Sequence, residues 1–243
     1  MESIGKSQPS KLTFENAGYY AIGLIVLTLL GFWPSFFSKY IDGTANFNYY
    51  FHFHGAIATL WIFLLIVQPI LIRKKKIQLH RTIGKFSYII LPLFLISVIL
   101  LKHHTLGGIV TEDLGAGLWL QTKDIIIIGV MYVIALVNKH NTPVHARAMI
   151  ATGIVFIEPT LGRFLIRSVF TEEYFLAAFM VTILIIYLLL ITLIIRERKQ
   201  QRGRWIFPLV LAFYILFHCL MIFQVSFPLW DTFAAWFVKL RLT

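Results

Sequence analysis

The chain has 243 residues, 58% of them hydrophobic and only 14% charged, with a mean hydropathy of +0.79. Soluble domains run at about half apolar and about a quarter charged, so this composition excludes an ordinary soluble globule and implies an all-α polytopic membrane bundle. The formal net charge of +11 would suit a nucleic-acid partner, but the basic residues fall in short loops between apolar blocks, which is the pattern that orients a chain in a lipid bilayer.

Residues 1–16 are polar and read as a cytoplasmic tail. Seven apolar runs follow, at 17–37, 49–72, 84–101, 117–137, 146–167, 174–195 and 205–227. Each comes near the about 20 residues that a hydrocarbon core demands. The first ends in Phe-Trp-Pro-Ser-Phe-Phe, too bulky for signal cleavage, and reads as a retained span. The fourth is interrupted by Lys123 and Asp124. Residues 17–230 therefore read as one helical domain of about seven spans, and 231–243 as a short external tail. Cys219 is the only cysteine, which rules out an intrachain disulfide and cysteine-based metal or redox motifs.

Basic residues set the orientation. Fifteen lie on the side of Lys6, Arg73–Lys76 and Arg196–Arg204, and five on the side of Lys39 and Lys102. The N-terminus is thus expected in the cytoplasm and the C-terminus outside. His54, Asp124, Glu158 and His218 then fall in the outer half of the bilayer, with Arg163 above Glu158. Charges at that depth cost a few kcal/mol, so they normally face the bundle interior and pair or bind something. Lys123 reads instead as a side chain that snorkels to the interface. A salt bridge to Arg163 is the plain structural alternative for Glu158.

The opening of the second span, Tyr-Tyr-Phe-His-Phe-His-Gly, carries two histidines. Residues two apart on a helix point about 200° from each other, so His52 and His54 face different ways, and the deeper His54 is the preferred candidate. A second polar layer lies at the inner face: His80 and Arg81 open the third span, His145 and Arg147 the fifth, and Gln68 and Arg73 close the second. His145 and Arg163 share a helix face if the fifth span is straight, although Pro159 is placed to kink it.

Three chemistries suit these residues. A haem b needs two axial imidazoles from different helices at similar depth, and the chain offers His54 with His218 outside and His80 with His145 inside. Two such haems would make an electron-transfer path to a redox partner. Alternatively, His54, Asp124, Glu158 and His218 are mixed donors suited to non-haem zinc or iron and an embedded enzyme. The third reading is a proton- or anion-coupled transporter of a small molecule that uses the same charges. Phosphate loops, catalytic triads and dinucleotide fingerprints are absent.

The ordered set His54, Gln68, Ile72-Arg73, His80-Arg81-x-x-Gly84, His145-x-Arg147-x-Met149 and Arg163 resembles a group of uncharacterised bacterial multi-span membrane proteins. They share a block of the kind His…Gln-Pro…Leu-Ile-Arg…His-Arg-x-x-Gly. The likeness covers about residues 50–165 and implies a bacterial inner-membrane location, without an activity. The layout is also loosely similar to cytochrome b-type and ferric-reductase-type bundles, in which histidines on central helices hold haem. The fourth span departs from that pattern, having no histidine in its apolar part.

Overall fold

A computed structural model describes residues 17–111, 113–170, 172–225 and 227–243; the expected tail at 1–16 lies outside the described residues. Helix α1 (Ala17–Phe32) passes through a π-helical turn at Trp33–Phe37 into the short α2 (Ser38–Ile41). Pro34 lies in that turn; it has no N–H to give and its ring crowds the carbonyl one turn back, so the helix widens there. Helix α3 (Tyr49–Arg73) starts on Asn48, whose side-chain oxygen accepts from the Tyr50 N–H at 3.4 Å.

Helices α4 (Ile77–Gly84) and α5 (Ser87–Leu106) divide the third apolar stretch at Lys85–Phe86, and α6 (Leu114–Val137) returns antiparallel to α5. Helix α5 stops on Gly107 at φ +60°, a left-handed conformation that glycine adopts without penalty. The fifth stretch is also divided. Helix α7 (Thr142–Ile154) gives way at Val155–Phe156 to α8 (Ile157–Phe164), which runs on into a π-helical turn at Leu165–Val169. Pro159 is the cause, since it offers no N–H to the Val155 carbonyl. The chain tightens there, and the Phe156 N–H donates to the Gly153 carbonyl at 3.1 Å. Helices α9 (Phe175–Glu197), α10 (Ile206–Ile222) and α11 (Pro228–Lys239) complete the bundle.

Among the described residues, six helical stretches are long and apolar enough to cross a membrane: Ala17–Ile41, Tyr49–Arg73, Ile77–Leu106, Leu114–Val137, Thr142–Val169 and Phe175–Glu197. Helix α10 is as apolar but has 17 residues, a length of about 26 Å against a core of about 30 Å. Helix α9 shows how such a helix divides its surface. Ala178, Thr182, Ile186 and Leu190, four residues apart, are buried, whereas Leu184, Leu188, Ile191 and Ile195 are exposed. Both faces are apolar, so the outward one suits lipid and the small residues suit the helix contacts. The core gathers Trp61, Ile127, Met131, Ala148, Ile186 and Tyr214, all fully buried.

Helix α1 is held by close backbone approach. A Cβ built on Gly18 would stand 2.7 Å from the Ile66 carbonyl oxygen, and one on Gly31 would overlap the Thr160 carbonyl of α8. Gly23, by contrast, faces open space. Gly31→Leu is therefore expected to cost about 1–3 kcal/mol through overpacking against backbone, while Gly23→Leu should be near neutral. Unfolding titrations in mixed micelles would read the difference, and equal effects of the two substitutions would refute the contact.

The C-terminal residues differ from the expected tail. The boundary at 230 cuts through α11, which packs back on α5 and α6. Trp230 stacks on Trp119 with ring centroids 3.9 Å apart, and its indole N–H donates to the Gly115 carbonyl at 2.9 Å. The His103 Nδ1 meets the Thr243 hydroxyl at 2.7 Å. The sequence disguises this helix because it is short and mixes aromatic with polar residues.

Candidate functional site

Lys123, Ile127, Met131 and Ala135 follow one another at four-residue intervals on α6 and all have zero exposure. Lys123 thus heads the most buried face of its helix and does not snorkel. Its ammonium donates to Glu158 Oε2, lies 3.4 Å from Asp124 Oδ1 and 3.4 Å from His218 Nε2, and sits 4.9 Å from the Tyr214 ring centroid. The reason is local: several acceptors and an aromatic face replace the water that the amine would otherwise seek.

Glu158 enters from α8, just beyond the tightened turn, and is 5% exposed. It pairs with Lys123 rather than with Arg163, whose guanidinium donates to the Pro159 carbonyl at 2.8 Å and lies over the Phe32 ring. His218 on α10 closes the group. Its Nε2 is 3.3 Å from Glu158 Oε2 and its Nδ1 is 3.1 Å from the Tyr187 hydroxyl of α9. Four helices therefore meet at one polar knot. Glu158 Oε1, Asp124 Oδ1 and the Tyr214 hydroxyl are buried there without a hydrogen-bond partner.

The other expected residues go elsewhere. His54 turns to α5, where its Nδ1 is 3.0 Å from the Ser97 hydroxyl and its ring lies against Phe94. Exposed His52 faces the Tyr40 hydroxyl at 3.0 Å instead, so the two histidines do serve different neighbours. At the inner face, the Gln68 amide oriented to suit its surroundings donates to His80 Nδ1 at 2.5 Å and accepts from the Gly84 N–H at 3.1 Å. His145 Nδ1–H donates to the Ala135 carbonyl at 2.9 Å. Arg147, 1% exposed, donates through Nε to Glu197 Oε2, and its other arm reaches the Pro143 carbonyl at 2.8 Å. Arg73 lies over the Tyr19 ring and Arg81 is exposed.

These contacts bear on the two metal chemistries. Both ring nitrogens of His218 are engaged by protein groups, and His80 Nδ1 accepts from Gln68, which leaves the proton on Nε2. In this arrangement neither the outer nor the inner histidine pair fits a haem held by two imidazoles. Among the described residues, no group of three or more His, Cys, Asp and Glu is placed to hold a metal ion. Of the expected set, Glu158 and His218 meet, the Lys123 ammonium lies between Glu158 and Asp124, and His54 is apart.

Lys123, Tyr187, Tyr214 and Glu197 are the residues that sequence reasoning passes over. Signals for two of them exist: Tyr214 precedes His218 by one helical turn, and Lys123 shares a stripe with Ile127 and Met131. Neither family models, nor curated proteins, nor solved structures yield a match to this chain.

Proposed function

We propose that the protein is a carrier with seven spans and a cytoplasmic N-terminus, in which Lys123, Asp124, Glu158 and His218 form a proton-binding site coupled to movement of a small molecule. One observation carries this reading: a fully buried ammonium faces two carboxylates and an imidazole on three helices. Within contact distance the ammonium meets two carboxylates and an imidazole. Charge in a membrane interior is costly, so His218 and the carboxylates are the groups that would take up and release a proton here.

Proton uptake and release at such a site changes the contacts that tie α6, α8, α9 and α10 together. The divided fifth span supports the same reading, because interrupted helices at mid-membrane sites recur in transporters. The haem reading stands behind this one for want of free nitrogens, and the non-haem metal reading for want of a third converging ligand.

A substrate-free test exists. Liposomes carrying the protein on a solid-supported membrane should give a transient charge displacement on a pH jump. Glu158→Gln should abolish it, and Arg81→Gln, at an exposed position, should leave it intact. Wild-type liposomes that respond like empty ones would refute the proton site.

A further inference from the structure

Arg163 is a cation within the fifth span that the proton site does not use. The inner part of that span, α7, packs along α6, whereas the outer part, α8, packs on α1 and α9, so the span parts from α6 as it runs outward. Arg163 extends from the last turn of α8 with protein on most sides, yet it remains exposed. Its charge acts on His54 of α3 and on Asp124 of α6, and its guanidinium lies over Phe32 of α1. Among the described residues no acidic side chain is in ion-pair contact with it. Arg167, four residues farther along and also exposed, adds a second positive charge and has no acid in contact either.

The guanidinium is held in a defined pose. Its Nη1 donates to the Pro159 carbonyl at 2.8 Å, and its Cζ lies 4.7 Å from the Phe32 ring centroid. These contacts fix the plane, and neither uses the edge formed by Nε and Nη2, to which no described protein group is bonded. That edge presents two parallel N–H groups, the fork that a carboxylate accepts in two bonds. A guanidinium within a span is costly without a counter-charge, and an anion on the free edge offsets that cost. Asp124, within electrostatic reach, weighs against a multiply charged anion. We infer that Arg163 binds a small monocarboxylate through its Nε–Nη2 edge, and that this anion is the molecule moved with the proton. The second half rests on the carrier reading; the binding itself does not. Glu158 and Arg163 share the eight-residue α8, so one short helix carries both the proton-binding and the anion-binding group.

Saturation-transfer NMR of butyrate and of butyramide against the full chain in phosphatidylcholine nanodiscs tests this. Butyrate should give a signal that saturates with concentration, and butyramide, equal in shape but uncharged, should give none. That contrast needs no variant, so a loss of fold cannot stand in for a loss of binding. Arg163→Lys should weaken butyrate by about tenfold, the worth of one charge-assisted hydrogen bond, and Arg163→Gln should remove the signal. Glu158→Gln should keep it. Equal signals from acid and amide, butyrate binding that survives Arg163→Gln, or its loss in Glu158→Gln would overturn the assignment. So would outright loss of the signal when phosphatidylglycerol is added at constant ionic strength, which would give the guanidinium to a lipid phosphate. Butyrate binding without a charge displacement on a pH jump would uphold the anion site and refute the proton site alone.

Discussion

Lys123→Met is expected to destabilise the protein by about 3–5 kcal/mol, the cost of leaving one half of a buried ion pair alone. Methionine fills the volume of the lysine stem, so the loss is electrostatic and not a cavity effect. Glu158, with 5% exposure, keeps only His218 as a charged partner. Pairing the substitution with Glu158→Gln should recover most of the loss, because both charges leave together and the amide still meets His218. Denaturant titration of the four proteins, wild type, two singles and the double, measures the coupling directly. A loss below about 1 kcal/mol for Lys123→Met would put the amine at a surface, where ion pairs contribute little.

Arg147→Leu should cost a similar amount for the same reason, at the inner end of the span whose outer part carries Glu158. Glu197 is 2% exposed and ends α9, and Arg147 reaches it through Nε while a second arm holds the Pro143 carbonyl. Gly203, at φ +78°, passes so close to that arm that an added Cβ would lie 3.2 Å from Nη1. The loop after α9 is therefore folded over the pair and shuts water out. Arg147→Lys should recover only part of the stability, since an ammonium cannot make both contacts from one planar fork. Arg147→Leu combined with Glu197→Leu should recover more than the lysine does. Full recovery by lysine alone would mean that charge, and not the fork, is what the site requires.

Much of the architecture is written in the apolar runs. The second, fourth and sixth spans are read from sequence to within a few residues of α3, α6 and α9, because about 20 apolar residues in a row admit few other structures. What the runs do not convey is which helix a polar side chain meets. Asp124, Glu158 and His218 stand out because charge is rare at that depth. Lys123 is discounted on its own long stem, since the partners that bury it lie 35 and 95 residues away. His54 is the reverse case. It looks like a ligand by depth, yet it is satisfied by Ser97, a residue that carries no signal in a leucine-rich stretch. Helix α11 fails for want of length, and its role rests on a tryptophan stack across 111 positions of sequence.

The tightened turn at Val155–Phe156 has a consequence for how one strip of helix obeys two masters. Arg147 and Glu158 are eleven residues apart; along an unbroken α-helix they would point within about 20° of one another. Opposite charges so aligned would be drawn toward a common neighbour. Overwinding between them rotates the outer segment out of register with the inner, so the arginine engages α9 while the glutamate engages α6 and α10. The inner segment is thereby moored to Glu197, and the outer one is tied to the buried group of Lys123 and His218. A torsional joint, set there by a single proline, separates the two attachments.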